Sequence, residues 1–307
     1  MTASATDSTP GDALDPESVT YGAVHLDIVD PERSLAFWRD LLGLEQLERS
    51  DEEIRLGAGG RELIVLRPGA VRGTLRGHAG IYHVAIHLPD AGEFARMIMR
   101  LATARAPQSP TDHVFSKATY LSDPDGIGLE LTLETPERFA GFEIEPARIV
   151  IRDSDGRARG GTEPLDVDEA LSHLGDRDIE RPLPAGTKVG HVHLHVGDLT
   201  EAWSFYRDMI GFREHMYMPE IGMADLSAGG RFPHRLAINV WQGPGVVQPP
   251  PGTAGLHRVE LVVPTAAALE GIRAGLEARS LAFETDAAGL TTRDPAGNPL
   301  RVIAPGA

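Results

Sequence analysis

Residues 192–213 read VHLHVGDLTEAWSFYRDMIGFR, and residues 24–45 of the same chain read VHLDIVDPERSLAFWRDLLGLE. The two segments align without a gap at a constant offset of 168 residues. Each contains alternating apolar residues typical of a β-strand, an Asp that can cap a helix, apolar residues at helical spacing, and a Gly that can end the helix. In the first copy this pattern predicts a helix over residues 32–42. The chain therefore contains a repeated unit that begins with a strand and a helix.

A second, weaker pair of similar segments follows these two. Residues 81–102 read IYHVAIHLPDAGEFARMIMRLA and resemble residues 256–277, which read LHRVELVVPTAAALEGIRAGLE. Helices are predicted over residues 91–102 and 266–278, and a later Asp-Pro-x-Gly sequence predicts a turn between two late strands in both copies. The chain is thus predicted to contain four modules, each made of a strand, a helix and about three more strands.

The spacing of these patterns gives predicted boundaries for the modules. They are module one at residues 19–75, module two at 76–136, module three at 187–247 and module four at 248–307, with a connector at 137–186 and a disordered tail at 1–18. The small sheet of a single module would leave an apolar face exposed to water. We therefore expect the modules to pair and to form two double-module domains.

The composition excludes several classes of function. The chain has 307 residues, a formal net charge of −16 and no cysteine. Such an acidic chain is poorly suited to nucleic acids, whose phosphates are bound by clustered Lys and Arg. No apolar run is long enough to span a membrane, and the first residues lack the pattern of a signal peptide. We therefore expect a cytoplasmic protein without disulfides, in which any metal is held by His and carboxylates.

The repeated motifs resemble those of the vicinal oxygen chelate superfamily, which includes glyoxalases, extradiol dioxygenases and bleomycin-resistance proteins. The resemblance rests on VHLxVxDLxxxxxFYRDxxGF, matched at residues 192–212, and on DPDGxxxEL, matched at residues 123–131. It is closest to the catechol 2,3-dioxygenase-like group. The resemblance implies an α+β fold of four βαβββ modules with U-shaped mixed sheets, a metal held by two His and one Glu, and a homo-oligomer.

The resemblance assigns metal ligands to individual positions of this chain. Modules two and three carry a complete set, His83, Glu130 and His191. The corresponding positions of modules one and four hold Ala23, Arg258 and Arg301, which cannot bind a divalent cation. Because three ligands must surround one ion at about 2 Å, modules two and three are predicted to pair, and so are one and four.

The conventional pairing, one with two and three with four, is the alternative. It would leave His83 and Glu130 facing Ala23, with His25 as the replacement ligand. The other histidines of these strands are interpreted more simply. His25 and His193 are expected to be inward-facing and hydrogen-bonded, and His195 to line a polar face.

Three residues stay without a firm assignment. His87 lies on the same strand face as His83 and has no predicted role. Glu134, at the end of the strand that carries Glu130, is expected to be solvated. His257 adjoins Arg258, so a one-residue shift would place it in the ligand position, although no Glu would complete that site.

The predicted ligand set implies iron chemistry. Two His and one carboxylate leave open positions on the metal, as in non-haem Fe(II) oxygenases, although Mn(II) also suits this set. The predicted function is an extradiol dioxygenase that cleaves a small aromatic diol with O2. The resemblance also implies catalytic roles for His234 as an acid and base, for Tyr120 as a hydrogen-bond donor to the substrate, and for His113 as a second pocket histidine. Ordinary loop histidines and a packed tyrosine are the alternative interpretation.

Two other functions remain open on the sequence. A glyoxalase-type isomerase or a transferase commonly needs a fourth ligand, often a second Glu, whereas the matching strand RLAINVWQG offers only Asn239 and Gln242. A metal-free drug-binding protein is the third interpretation, and the complete ligand set argues against it.

Overall fold

The computed structural model describes residues 16–145, 148–176 and 178–305. The predicted disordered tail, residues 1–18, lies outside this part of the chain except for its last three residues. Within the described residues each module has the predicted order of a strand, a helix and three further strands.

The first half of the chain contains modules one and two. Module one consists of β1 (Thr20–Ile28), α1 (Pro31–Leu35), a π-helical segment (Ala36–Leu41), β2 (Glu45–Arg49), β3 (Ile54–Ala58) and β4 (Arg61–Pro68). Module two consists of β5 (Gly80–Leu88), α2 (Ala91–Thr103), β6 (Ser109–Asp112), β7 (Ser116–Ser122) and β8 (Gly128–Glu134).

In its described residues the connector contains a short α-helix and four strands. They are β9 (Phe139–Glu145), β10 (Arg148–Asp153), β11 (Ala158–Arg159), β12 (Glu163–Pro164) and α3 (Val167–Leu171). β9, β10 and β11 form a small sheet of their own, whereas β12 pairs with β6. α3, which the sequence indicates as a short helical pattern, packs against α2.

The second half of the chain repeats the arrangement of the first. Module three consists of β13 (Lys188–His195), α4 (Leu199–Phe205), a π-helical segment (Tyr206–Ile210), β14 (Arg213–Met218), β15 (Met223–Ser227) and β16 (Leu236–Asn239). Module four consists of β17 (Gly255–Val262), α5 (Ala266–Ala278), β18 (Phe283–Asp286), β19 (Gly289–Arg293) and β20 (Pro299–Ile303).

Two large mixed sheets join the modules in the exchanged manner. The first sheet has the order β18-β19-β20-β17-β1-β4-β3-β2 and therefore combines modules one and four. The second sheet has the order β12-β6-β7-β8-β5-β13-β16-β15-β14 and combines modules two and three. In each module the first strand is parallel to the last, with the helix as part of the crossover between them. The predicted pairing of modules two and three is confirmed.

Modules that follow each other in sequence contact one another through a helix and a turn. Trp38 Nε1, from the helix of module one, donates to Asp123 Oδ2 in the Asp-Pro-Asp-Gly turn of module two at 3.3 Å. Tyr206, the equivalent of Trp38, donates to Asp294 Oδ2 in the corresponding turn of module four at 3.0 Å. The modules therefore make two kinds of contact. Strand pairing joins modules that are not consecutive in sequence, except two and three, and side-chain hydrogen bonds join one with two and three with four.

The predicted helices are present with one local difference. The segment predicted as a helix over residues 32–42 starts as α1 and continues as a π-helix, and module three shows the same change. Asp30, Asp90 and Asp198 cap helices with their side chains, as the sequence patterns indicate. Gly211 ends the module three helix with a φ of 96°, a left-handed conformation that glycine adopts without strain.

One continuous apolar core fills the space around the two large sheets. It draws on every module, and Leu35, Trp38 and Leu42, the apolar face predicted for the first helix, are fully buried in it. Among the helices in the described part of the chain, none combines the length and apolar character that crossing a membrane requires.

Candidate metal centre

The centre lies in the middle of the second sheet, where β13, β5, β8 and β7 are neighbours. The strand register places His191 opposite Ala85, Ala85 opposite Glu130, and Glu130 opposite Tyr120. His83 precedes Ala85 by two residues on β5 and therefore points to the same face. The small side chain of Ala85 leaves room between His191 and Glu130, so that the predicted ligands can meet above it.

The three predicted ligands come together at hydrogen-bonding distance. His83 Nε2 lies 3.1 Å and His191 Nε2 3.0 Å from Glu130 Oε2, and the two nitrogens are 3.3 Å apart. Two ligand atoms at right angles around a metal, each about 2.1 Å from it, lie about 3.0 Å apart, whereas tetrahedral ligands lie about 3.4 Å apart. The two distances to Glu130 are near the first value and the distance between the nitrogens is near the second, so the three donor atoms are close enough together to share one ion.

The electrostatics of the centre suit a cation. All three side chains are almost completely buried. Burial lowers the pKa of His191 well below its usual value, so that this imidazole is neutral. Burial would raise the pKa of Glu130, but His191 and His83 outweigh it and hold the pKa well below the usual range. Neutral imidazole and ionised carboxylate are the forms that bind metals.

A chain of hydrogen bonds continues from His191 to the edge of the sheet. His191 Nδ1 lies 2.8 Å from His87 Nε2, and His87 Nδ1 lies 2.8 Å from Glu134 Oε1. Glu134 also accepts from Arg235 at 2.8 Å and pairs with Lys188 at 3.0 Å. The expectation that Glu134 is simply solvated is therefore wrong, because this carboxylate has three protein partners.

His234 lies beside the centre and has its own carboxylate partner. The rings of His234 and His191 have centroids 4.4 Å apart. His234 Nδ1 lies 2.8 Å from Asp225 Oδ2, an ion-pair distance at an angle that is poor for a hydrogen bond, and His215 Nδ1 approaches the same oxygen at 3.0 Å. Burial, the largest single cause, lowers the pKa of His234, but Asp225 and Glu130 together outweigh it and raise this pKa above the usual value.

Two details of this group differ from the sequence interpretation. His234, for which an ordinary loop histidine is the alternative interpretation, does lie in the irregular segment before β16, but its side chain is mostly buried. Asp225 was missed altogether. It interrupts the apolar strand MADLS in the way that Glu130 interrupts its own strand, and that signal would have identified it.

Tyr120 and His113 form a hydrogen-bonded pair at the other side of the centre. The Tyr120 hydroxyl lies 2.8 Å from His113 Nε2, and His113 Nδ1 lies 2.6 Å from the carbonyl oxygen of Gly161 in the connector. A carbonyl only accepts, so His113 Nδ1 carries hydrogen, and His113 Nε2 accepts a hydrogen bond from Tyr120. Burial, followed by the charge of Glu130, raises the pKa of Tyr120 well above its usual value, so the hydroxyl stays protonated.

The connector closes one side of the centre. Phe139 and Ile151 from the connector pack with Val114, Phe115 and Phe232 in a small apolar cluster. Phe232 in turn contacts the rings of three histidines of the centre, His87, His191 and His234. The connector therefore shields the buried imidazoles from water.

The other histidines of β13 have hydrogen-bond partners outside the triad. Asn239 contacts His193 Nε2 through its amide nitrogen and His195 Nδ1 through its amide oxygen, both at 2.7 Å. Gln242 approaches the other nitrogen of His195 at 3.4 Å. Asn239 is thus engaged, which removes it as a fourth ligand.

The first sheet has a different group of residues at the corresponding place. Ala23 occupies the position of His191, and Glu260 occupies that of Ala85. Glu260 Oε1 lies 3.1 Å from His25 Nε2, and Arg258 approaches both side chains, at 3.2 Å and 3.4 Å. The extra carboxylate, overlooked in the sequence, compensates the guanidinium of Arg258. This network fills the space that the second sheet leaves for an ion.

A wide cavity adjoins the centre. It has a volume of about 1190 Å³, and its wall includes His83, Tyr82, Tyr120 and His195. Tyr82 is partly exposed, and its ring contacts the rings of His83 and His195. The predicted ligand His83 and the predicted substrate contact Tyr120 therefore both reach a space that a small molecule can enter.

Comparison of the sequence with known proteins identifies a family that has this fold. Residues 23–131 match the sequence profile of the Glyoxalase/Bleomycin resistance protein/Dioxygenase superfamily. A catechol-2,3-dioxygenase of Bacillus subtilis (strain 168) is 33% identical over 251 residues, which cover 81% of this chain and 84% of that protein. The chain belongs to this superfamily, also called the vicinal oxygen chelate superfamily.

Solved structures show the same fold. A Bacillus subtilis protein provisionally described as a dioxygenase has a TM-score of 0.61 at 12% identity, over 95% of this chain and 87% of that one. Glyoxalase I from Zea mays has a TM-score of 0.55 at 15% identity, over 94% of this chain and 93% of that one. At these identities the similarity shows a common fold, and the reaction has to be inferred from the residues of the site.

Proposed function

We propose that the protein is an Fe(II)-dependent extradiol dioxygenase that cleaves a catechol-like aromatic ring with O2. In this proposal His83, Glu130 and His191 hold the metal. The observation that carries it is the convergence of two imidazole nitrogens and one carboxylate oxygen in the second sheet. No fourth His or carboxylate joins this group within the described residues, which favours a metal with open positions over the four-ligand site of an isomerase.

The metal would supply positions for both substrates. His83, Glu130 and His191 would hold Fe(II), which would supply Lewis-acid and redox chemistry that lowers the pKa of a diol and activates O2. Mn(II) suits the same three donors.

His234 is proposed to move the proton of the diol. Asp225 lies beside Nδ1, which leaves Nε2 as the nitrogen that takes a proton from a substrate hydroxyl and returns it when the ring opens. Burial would otherwise disfavour a protonated ring, and the carboxylate of Asp225 offsets this effect. Phe232 and the connector keep water away from the proton while His234 holds it.

Tyr120 and His113 are proposed to orient the substrate. His113 Nε2 accepts from the Tyr120 hydroxyl, whose hydrogen is then directed at His113. A substrate oxygen can receive this hydrogen only if the hydroxyl turns away from His113. The predicted donor role of Tyr120 therefore requires a bound substrate to replace His113 as the acceptor.

The test is to load the protein anaerobically with Fe(II) and to measure O2 uptake with a panel of substituted catechols and hydroquinones. We expect one O2 consumed per diol and a coloured ring-opened product. A Glu130→Ala variant, which lacks the carboxylate ligand, is the control and should consume none. Stoichiometric iron binding with no O2 uptake on any diol of the panel would refute the dioxygenase proposal.

A further inference from the structure

The hydrogen-bond chain behind His191 has only one arrangement of hydrogens that keeps all its members neutral apart from the terminal carboxylate. Glu134 accepts from three groups and carries no hydrogen itself, because Arg235, Lys188 and His87 all approach its Oε1 atom. His87 Nδ1 must therefore donate to Glu134, which leaves His87 Nε2 as an acceptor. His191 Nδ1 must then donate to His87 Nε2. A neutral His191 with hydrogen on Nδ1 has its lone pair on Nε2.

That lone pair points to the predicted metal position. His191 Nε2 is the atom that lies 3.0 Å from Glu130 Oε2 and 3.3 Å from His83 Nε2. In the metal-free protein the Glu130 oxygen favours hydrogen on Nε2, and with that tautomer His191 could not bind a metal. His87 and Glu134 favour the opposite tautomer, which metal binding needs. From these contacts we infer that His87 and Glu134 are positioning residues, which fix the tautomer and ring orientation of His191 for metal binding. The inference rests on the proposed function.

The backbone of Gly190, the residue before His191, lies close to the His87 ring. A Cβ atom added to Gly190 would lie 2.1 Å from His87 Cγ and 2.2 Å from two further ring atoms. Arg235, which holds Glu134, also donates to the carbonyl oxygen of Gly190 at 3.3 Å. The absence of a side chain at this position thus lets the imidazole of His87 pack directly beside His191.

The module repeat provides a matched control for this contact. Gly22 is the equivalent of Gly190 in the first sheet, and a Cβ atom there would lie 2.9 Å from Oε2 and 3.0 Å from Cβ of Glu260. Gly22→Ala and Gly190→Ala therefore both crowd the first strand of a large sheet. Only the second displaces a neighbour of a predicted ligand.

The first experiment measures Mn(II) binding to the metal-free protein by electron paramagnetic resonance of the free ion. We expect His87→Ala and Gly190→Ala to weaken binding by about 10- to 100-fold, the usual effect of removing a partner that orients a metal-binding His. His87→Gln should recover most of the affinity, since its side-chain oxygen can accept from His191 Nδ1. Gly22→Ala should bind like the wild type, and His191→Ala should lose binding.

The second experiment identifies the tautomer of His191 in the metal-free wild type by long-range proton–nitrogen correlation NMR with labelled histidine. We expect a larger population with hydrogen on Nδ1 in the wild type than in Glu134→Ala. Equal populations in the two proteins would overturn the inference, as would wild-type affinity in His87→Ala. In both cases the proposed function would stand. A wild-type protein that binds no Mn(II) or Fe(II) would instead refute the proposed function, and the inference with it.

Discussion

The two sheets of the molecule allow a direct test of where the metal binds. His191 and His25 are both buried histidines on the first strand of a module, and each faces a glutamate. His191, however, supplies one of three converging donor atoms, whereas His25 pairs with Glu260 and Arg258. Replacing each by Ala should therefore have opposite consequences for stabilisation by metal.

The expected size follows from mass action. Metal at a free concentration of 100 times its dissociation constant raises the free energy of unfolding by about 2.7 kcal/mol. If the loss of one of three donors weakens binding at least 100-fold, the same concentration no more than equals the new dissociation constant, and the gain falls to about 0.4 kcal/mol or less. We expect this small gain for His83→Ala, Glu130→Ala and His191→Ala. His25→Ala should keep the full gain of about 2.7 kcal/mol.

Urea unfolding in oxygen-free buffer, with and without Mn(II), measures these gains, and elemental analysis gives the bound metal. Only the metal-dependent gain is compared, because each substitution also changes the stability of the metal-free protein through lost packing. A His25→Ala protein that no longer responds to metal, beside a His191→Ala protein that still does, would place the site in the first sheet. That result would refute the assignment.

Three further predictions concern the surroundings of the centre. His234→Ala should retain iron but lose most of its turnover, since the residue is proposed to move a proton and not to bind metal; an unchanged rate of O2 uptake would remove it from the mechanism. Phe232→Ala should lower the free energy of unfolding of the metal-free protein by about 3–5 kcal/mol, because it leaves a cavity between buried rings. Phe232→Leu should lower it less, and equal effects of the two variants in urea unfolding would contradict the described packing. Although burial raises the pKa of Asp225, its histidine partners lower it from 3.8 to about 2, so the ionised carboxylate stabilises the fold above pH 3.8 and loses this contribution as the pH falls toward 2. The stability difference between wild type and Asp225→Asn should therefore be roughly 2 kcal/mol at pH 7 and about half as large at pH 3 in urea unfolding of metal-free protein; a difference that grows on acidification would show that the pKa is not lowered.

The module order and the exchanged pairing could be predicted because the repeat is long and the ligand positions are unequal. At the ligand positions that the family resemblance implies, Ala23 and Arg301 in the outer modules left one complete set, with His25 as the replacement in the conventional pairing. The pairing of the sheets agrees with this inference. The change from α-helix to π-helix in modules one and three left no signal in the spacing, since it shifts the hydrogen bonds of a single turn.

The surroundings of the centre depended on contacts between distant segments. Glu134 was interpreted as solvated from its place at a strand end, yet His87, Arg235 and Lys188 all reach it. The shielding of the centre by Ile151 of the connector could not be anticipated either, because no local pattern tells which sheet a loop will cover.

The sequence by itself determined the four modules and their order, because local periodicity is written along the chain, and the resemblance of its motifs to a known family implied the three predicted ligands. Only the tertiary structure decided that these side chains meet above Ala85. It also decided that His191 contacts His87, which contacts Glu134, and that His234 pairs with Asp225. Those relations depend on strand register and on packing between modules far apart in sequence, where a shift of one residue would turn every side chain to the opposite face.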